Sequence, residues 1–177
     1  RYMPLIGVIL GSDSDLPKVK ECFEIFEEFG IEYEVLVSSA HRSPEMTGEW
    51  VKSARGRGLK TIIAIAGGAA HLPGVVASHT TLPVIGIPIE TNIAGGLDSI
   101  LSILQMPAGI PVGTMAAGKS GGANAALYAL SIISTSDNAV AEKLSSYRKK
   151  IENKIEEKNK AIRETGLMNY IKKLEDK

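Results

Sequence analysis

Two histidines in this sequence stand in segments that suit acid–base chemistry on an anionic ligand. His41 is followed at once by Arg42 within residues 38–44, and His71 follows four small residues. A histidine side chain titrates near neutral pH, so it can accept a proton and return it during one reaction. The arginine guanidinium offers a fork of N–H donors to phosphate or carboxylate. The His41–Arg42 pair therefore predicts a catalytic loop rather than a polar surface loop, with Ser39 beside it.

The small residues before His71 favour close approach of a ligand to the backbone. Gly67, Gly68 and Ala69 have no side chain large enough to hold a flat molecule away. We expect these three residues to line a ligand site. His71 is either a second catalytic group or the residue that caps the next helix and fixes the glycine turn, and we favour the supporting role.

A third polar segment, residues 11–15, leads into a predicted helix. Hydroxyl groups and free backbone N–H groups at the start of a helix bind anions, so we expect Ser12 and Ser14 to contact a ligand. Asp15 either caps the helix or accepts hydrogen bonds from sugar hydroxyls, and the local sequence favours neither role.

The remaining histidine and the single cysteine are interpreted as structural. His79 directly precedes an apolar run, and Cys22 lies on the apolar face of a predicted helix. Buried free cysteine is common, so burial is preferred to a nucleophilic role for Cys22. Three dispersed histidines without a spaced carboxylate motif do not predict a zinc site.

Residues 113–120 match the Walker A pattern G-x4-G-K-S/T letter for letter. A P-loop must follow a strand and open a helix, and a later apolar run should end in an aspartate that holds magnesium. Here the pattern falls at the last predicted strand, and no such run follows it. We therefore expect a mobile lid whose Lys119 meets the ligand, with a P-loop nucleotide-binding enzyme as the alternative.

The elements that must position these segments alternate between short apolar runs and helical patterns. The runs cover residues 5–10, 33–37, 61–66, 84–89 and 110–115, and each is typical of a strand buried on both faces. This alternation predicts right-handed βαβ units and an α/β fold with about five parallel strands. Ligands of such sheets bind beyond the carboxyl ends of the strands, where all the polar segments above fall.

Apolar residues at helical spacing indicate the helices between the strands. One runs from Val19 to Phe29 and stops at Gly30, and another starts at Ser43–Pro44, as N-cap and first helical residue. A small-residue stretch, 121–134, predicts a closely packed helix.

The last part of the chain, from Asp137 to about Thr165, predicts a long charged helix. Its apolar stripe, Val140 to Ile155, would pack on its own domain or on a neighbouring subunit. We therefore divide the chain into a catalytic domain, 1–135, and a helical extension, 136–177.

The composition excludes several classes of protein. Twenty Lys and Arg balance twenty Asp and Glu among 177 residues, so no overall charge attracts nucleic acid or an anionic membrane. No apolar run approaches the ~20 residues of a membrane span. One cysteine permits no internal disulfide and fits a reducing compartment, so we expect a cytoplasmic protein.

Taken together, these segments resemble the class I N5-carboxyaminoimidazole ribonucleotide mutase family of de novo purine synthesis. The matching segments are Gly11-Ser12-Asp13-Ser14-Asp15, Ser39-Ala40-His41-Arg42-Ser43-Pro44, Gly67-Gly68-Ala69-Ala70-His71-Leu72-Pro73-Gly74, Gln105-Met106-Pro107 with Gly109-Ile110-Pro111-Val112, and Gly118-Lys119 with Asn124-Ala125-Ala126. They cover about residues 5–150. The family usually has threonine at position 43, where serine keeps a capping hydroxyl. The intact glycine–histidine segment is similar to class I rather than to the class II enzymes, which use free CO2.

The resemblance implies a flavodoxin-like three-layer α/β/α domain, assembled as a homo-octamer, that needs no metal, ATP or organic cofactor. It implies an isomerase that moves a carboxylate from the exocyclic nitrogen of an aminoimidazole ribonucleotide to ring carbon C4, with enclosed CO2 as the intermediate. By the same resemblance, substrate would be held by Ser12, Asp15 and Arg42. The alternatives are direct carboxylation of aminoimidazole ribonucleotide, and a flavin-binding or regulatory flavodoxin-like module.

Overall fold

The computed structural model describes residues 3–176 and contains a five-stranded parallel sheet. The strands are β1 (Ile6–Leu10), β2 (Tyr33–Val37), β3 (Thr61–Gly67), β4 (Val84–Ile89) and β5 (Gly113–Thr114). Their order across the sheet is β2-β1-β3-β4-β5, and every neighbouring pair is parallel. The predicted α/β fold with five parallel strands is confirmed.

The helices follow the strands in alternation and lie in two layers. A 3₁₀ helix (Asp13–Val19) precedes α1 (Lys20–Phe29); the others are α2 (Pro44–Ser53), α3 (Leu72–Ser78), α4 (Leu97–Leu104), α5 (Gly118–Ser134), α6 (Asn138–Thr165) and α7 (Leu167–Glu175). The predicted helix from Val19 to Phe29 is confirmed within one residue, and the predicted helix start at Ser43–Pro44 is confirmed. The small-residue helix begins three residues earlier than predicted, at Gly118.

Two apolar cores, one on each face of the sheet, make the three layers. Alternate residues of a strand point to opposite faces. Ile63 and Ile65 of β3 accordingly pack with α1, α5 and the start of α6, whereas Ile62 and Ala64 pack with α2, α3 and α4. The central strands are buried on both faces, as their continuous apolar sequences predicted.

The two edge strands differ from the prediction. Val35 and Val37 of β2 are 43% and 46% exposed, so β2 is not buried on both faces. β5 has only two residues instead of six, and it pairs with β4 from Ile85 onward. Pro83 and Pro111 precede the paired residues of β4 and β5, and neither proline has the N–H that would extend the pairing.

Helix α1 illustrates how the sequence sets a local boundary. Its buried face includes Cys22 and Phe26, and it ends at Gly30, whose φ of +63° is the left-handed conformation that glycine adopts without strain. Cys22 is fully buried, and burial raises the pKa of its thiol to about 12. A structural role for Cys22, as predicted, fits this environment.

Helix α6 packs on the rest of the chain along only part of its length. Asp137 caps it by accepting from the N–H groups of Ala139 and Val140. The ring centroid of Tyr147 lies 5.7 Å from that of Phe29. Beyond residue 150 the apolar stripe is uncovered, because Ile151 and Ile155 are 46% and 51% exposed.

The division into 1–135 and 136–177 stays a prediction, and residues 1, 2 and 177 lie outside the described part of the chain. Among the helices in residues 3–176, none combines the length and the apolar character that crossing a bilayer requires.

Candidate active site

The loops that follow β1, β2 and β3 meet at the carboxyl edge of the sheet. Arg42 donates from Nη2 to the carbonyl oxygen of Gly11 at 2.9 Å, which joins the loops after β2 and β1. Nε2 of His41 lies 2.9 Å from Nδ1 of His71, which joins the loops after β2 and β3. Residues from three separate segments of the sequence therefore share one surface, at the edge where ligands of open parallel sheets bind.

Serine hydroxyls hold the turn that carries His41 and Arg42. Ser39 Oγ accepts from the backbone N–H of His41 at 3.3 Å and of Arg42 at 3.2 Å. The buried hydroxyl of Ser38 lies 2.9 Å from Ser43 Oγ and 2.8 Å from Thr47 Oγ1. These bonds fix the backbone of the turn from inside, so that the side chains of His41 and Arg42 stand exposed.

The prediction for Ser43 is right in position and wrong in contact. Ser43 is the N-cap residue of α2 and Pro44 follows it, but the Ser43 hydroxyl makes no hydrogen bond to the helix. It donates to the carbonyl of Ser39 at 3.2 Å and accepts from the Ser39 N–H at 3.0 Å. The hydroxyl turns toward the loop because buried Ser38 offers it a further partner.

The two histidines form a perpendicular pair. Their ring centroids are 5.0 Å apart and the planes meet at 81°. Between two neutral imidazoles one nitrogen must donate and the other accept, so the bond couples the tautomer of His41 to that of His71. His71 occupies the N-cap position of α3, but its side chain makes no capping bond, so it is not the helix cap considered from the sequence.

The loop after β1 presents a cluster of hydroxyls beside a carboxylate. Ser12, not Asp15, is the N-cap of the 3₁₀ helix, and its Oγ accepts from the Ser14 N–H at 3.3 Å. The hydroxyls of Ser12 and Ser14 are 2.8 Å apart. Asp15 lies within the 3₁₀ helix, because that helix starts two residues earlier, and its carboxylate pairs with Lys18 at 3.1 Å.

The glycine–alanine loop after β3 has an unusual backbone. Gly68 has a φ of +67° and Ala70 a φ of +38°, a region that residues with side chains rarely occupy. A methyl group on Gly67 would lie 3.2 Å from Cβ of Ile89, so that position suits glycine. Gly67 and Ala69 are exposed at the sheet edge, beside the histidine pair.

Ser99 of α4, which sequence reasoning missed, holds this loop in place. Its buried Oγ accepts from the N–H of Gly68 at 2.8 Å and donates to the carbonyl of Ile89 at 2.7 Å. The available signal was a serine on the same helix face as Ile103, four residues later, which is buried. A polar residue on an apolar helix face needs a partner, but the sequence does not say which one.

Lys119 lies further along the same edge, on the first turn of α5, with an exposed side chain. Within residues 3–176, no hydrogen bond or ion pair joins it to the histidine pair. The Walker A-like segment does run from β5 through residues 115–117 into α5. However, Oε1 of Glu90 lies 2.8 Å from where a side chain on Gly118 would begin. A carboxylate at that position repels the phosphate that a P-loop would bind.

The opposite end of the sheet has a groove of about 1100 Å³, lined by His79, Arg55, Pro111 and Tyr128 among others. None of the residues that join the loops after β1, β2 and β3 lines this groove. The groove is therefore not the candidate site, although it is large. The ring of His79 packs against Gly48, 3.5 Å from the position of an added Cβ, in keeping with a structural role. In the described residues, no three His, Cys, Asp or Glu side chains are grouped to hold a metal ion.

Comparison with known proteins identifies the family. The model of the AIR carboxylase family matches residues 5–154. The chain belongs to this family. A Pyrococcus horikoshii relative named N5-carboxyaminoimidazole ribonucleotide mutase is 53% identical over 168 residues, 95% of this chain and 94% of its own length. A Thermotoga maritima relative with the same name is 47% identical, over 98% of this chain and 100% of its own.

A solved structure also supports the assignment of this chain to the AIR carboxylase family. The crystal structure of Treponema denticola PurE has a TM-score of 0.81 and 30% sequence identity, covering 90% of this chain and 98% of its own. The flavodoxin-like α/β fold implied by the sequence resemblance is therefore confirmed.

Proposed function

We propose that this chain is an N5-carboxyaminoimidazole ribonucleotide mutase of purine biosynthesis, an isomerase that moves the substrate carboxylate from the exocyclic nitrogen to ring carbon C4. Family membership and the relatives named for this activity support the proposal. The single observation in the structure that carries it is the His41–His71 pair, set beside Arg42 and the glycine–alanine loop. This arrangement offers a proton carrier, an anion-binding group and a close-approach surface together.

The substrate would be held by the loops after β1 and β2. Arg42 uses one N–H for the Gly11 carbonyl and keeps other guanidinium donors for the phosphate. Asp15 suits the ribose hydroxyls as an acceptor, and Ser12 and Ser14 add hydroxyl groups nearby. Ser39 accepts two backbone bonds and retains its hydroxyl hydrogen for the ligand.

His41 performs the proton transfers in this proposal. It first gives a proton to the exocyclic nitrogen while the carbamate C–N bond breaks, which releases CO2 and leaves a neutral aminoimidazole. The electron-rich C4 then attacks the carbon of CO2 and forms the new C–C bond. His41 finally removes the proton from C4, which restores aromaticity and returns His41 to its starting protonation state. One group that acts as acid and then as base needs a pKa near neutrality, as histidine has.

His71 and the small-residue loop complete the site. Once His41 has given up its proton, the bond to His71 fixes which nitrogen of the neutral His41 ring carries the remaining hydrogen, so His71 acts as a positioning residue. Gly67, Gly68 and Ala69 would form the CO2 pocket, and the lid around Lys119 would exclude water. Holding CO2 beside C4 replaces a bimolecular encounter, an advantage that can reach ~7 kcal/mol or more in well-oriented systems.

We further infer a cytoplasmic homo-octamer in which the extension, 136–177, contacts a neighbouring subunit. The octamer follows from the family resemblance, and the compartment follows from the single cysteine. The support for the subunit contact is the uncovered apolar surface of the distal part of α6 and of α7, which includes Ile151, Ile155, Leu167, Met168 and Leu174. Such a surface marks an interaction site. Sedimentation of the full chain and of a chain ending at residue 150 tests this inference. We expect the shorter chain to form smaller particles, and equal particle mass would contradict the role of the extension.

A spectroscopic assay with the N-carboxylated ribonucleotide, without ATP, tests the activity. We expect 4-carboxy-5-aminoimidazole ribonucleotide to form from this substrate. Aminoimidazole ribonucleotide with bicarbonate is assayed separately. Turnover with that second mixture alone would replace the mutase by a direct carboxylase.

A further inference from the structure

The hydroxyl of Ser99 connects three parts of the molecule beneath the candidate site. Ser99 lies on α4 with no exposed surface, and both functions of its hydroxyl are used. Its oxygen accepts from the N–H of Gly68, and its hydrogen goes to the carbonyl of Ile89 at the end of β4. The loop after β3 is thereby tied to α4 and to the neighbouring strand.

The loop that Ser99 ties down is not in a conformation that it would keep unaided. Ala70 at a φ of +38° carries a steric cost of about 1 kcal/mol. The internal bond from the Ala70 N–H to the Gly67 carbonyl is long, at 3.3 Å. The stronger restraint comes from α4, where Ser99 binds the N–H of Gly68 at 2.8 Å. The hydroxyl hydrogen of Ser102 goes to the carbonyl of Asp98 at 2.7 Å, so Ser102 adds little to the hold on Gly68.

These bonds decide which chemical groups the loop offers to a ligand. Because α4 binds the N–H of Gly68, that group is not available to water or to substrate at the sheet edge. A free N–H in a confined site binds water, because an unpaired backbone donor is costly. CO2 has no dipole and competes poorly with water for such a donor. A loop without a free donor at Gly68 therefore favours CO2 over water.

We propose that Ser99 is a positioning residue that keeps the CO2 pocket dry, by occupying the Gly68 N–H and holding the glycine–alanine loop in place. This role rests on the proposed mutase function. Without Ser99, water enters beside Gly68 and CO2 escapes before C4 attacks it. The enzyme then releases aminoimidazole ribonucleotide as a side product instead of returning every carboxylate to the ring.

The test measures how much of a labelled carboxylate stays with the substrate. Wild type, Ser99→Ala, Ser99→Cys and Ser99→Thr are given N-carboxylated ribonucleotide with an isotopic label in the carboxylate, in excess unlabelled bicarbonate. Ser131→Ala is the matched control, because Ser131 donates to Leu127 O within α5, away from the loop. Released aminoimidazole ribonucleotide and label in the product are both quantified, and thermal melts check that each variant is folded.

We expect Ser99→Ala and Ser99→Cys to lose about tenfold in turnover, less than the ~100-fold that a 1 Å misplacement can cost, with KM changed less than threefold. Released aminoimidazole ribonucleotide should rise from trace to a comparable amount with product. Ser99→Thr, which keeps the hydroxyl, should retain more label than Ser99→Cys, and Ser131→Ala should match wild type. A pure loss of stability would lower the melting temperature without this leakage.

The outcomes separate the two proposals. Full label retention by a folded Ser99→Ala or Ser99→Cys would overturn the role of Ser99 and leave the mutase function intact. The cysteine variant covers the case in which the alanine variant does not fold, because it keeps the side-chain volume. Absence of turnover by the wild type would overturn the mutase function, and this inference with it.

Discussion

The two loops that build the candidate site are held in opposite ways. The turn at residues 38–43 is fixed by its own hydroxyls and presents large side chains, those of His41 and Arg42. The loop at residues 67–70 has no large side chain and is held from outside by α4. One loop therefore supplies reactive groups, whereas the other supplies a shaped backbone. Substitutions should therefore remove chemistry in the first loop and change the pocket in the second.

The largest effect should come from the reactive group of the first loop. His41→Asn removes the proton carrier but keeps a polar side chain of similar size, so turnover should fall roughly 100-fold or more. Nucleotide affinity, measured by calorimetry, should change little. His79→Asn is the control, because His79 packs against Gly48 away from these loops. Near-normal turnover of His41→Asn would remove His41 from the proton transfers.

Arg42→Ala should mainly weaken substrate binding. Loss of charge-assisted hydrogen bonds to a phosphate predicts about 10- to 100-fold lower affinity. Arg55→Ala is the matched control, since Arg55 binds Thr81 in the groove at the other end of the sheet. A substrate analogue without phosphate should bind wild type and Arg42→Ala equally. If instead the analogue binds the variant less tightly than wild type by the full factor, Arg42 does not hold the phosphate.

For the second loop, Gly68→Ala changes shape without adding a reactive group. An added methyl group meets nothing within 4 Å, so the change acts through the φ of +67° and should cost about 1 kcal/mol of stability. Gly30→Ala is matched, with a φ of +63° and equally open surroundings at the end of α1. Both should lower the midpoint of urea unfolding similarly. Only Gly68→Ala should lower turnover, on the order of tenfold. If Gly68→Ala and Gly30→Ala have equal turnover, the backbone conformation of Gly68 does not shape the CO2 pocket.

The smallest effect on turnover should come from the hydroxyls that support the first loop. Ser43→Ala leaves Ser39 Oγ bound to the His41 and Arg42 N–H groups, so turnover should stay within about threefold. The free energy of unfolding, measured with urea, should fall by about 1 kcal/mol, because the partners of the Ser43 hydroxyl each lose a hydrogen bond. Ser53→Ala is the control for turnover, because it removes a hydroxyl at the end of α2, away from the turn at residues 38–43. A large loss of turnover would show that the turn depends on Ser43 for its shape.

Most of the fold was predictable because burial dominates the central strands. The runs at 5–10, 61–66 and 84–89 are continuous apolar sequences of strand length, and a strand covered on both faces buries every residue of such a run. The exposure of β2 was not predictable, because a sequence does not give the order of strands. The short β5 was signalled by Pro111, whose missing N–H limits pairing.

The site was predictable where chemistry and topology coincide. His41, Arg42 and His71 follow strands, and parallel strands bring their carboxyl ends together. The hydrogen-bond partners were not predictable, because each depends on side-chain direction across long sequence separations. Ser99 and Gly68 are 31 residues apart, and the hydroxyl of Ser43 faces the loop rather than the helix.

In the proposed site one loop moves protons and the other encloses CO2. The fraction of the substrate carboxylate that reaches C4 of the product tests this division directly. Wild-type protein is given substrate labelled in the carboxylate, together with excess unlabelled bicarbonate, and label is counted in the C4 carboxylate of the product. We predict that nearly all of the label is retained, because CO2 stays between the loops until C4 attacks it. Dilution of the label to the level of the bicarbonate pool would show that CO2 leaves the site before C4 attacks it, which contradicts an enclosed intermediate.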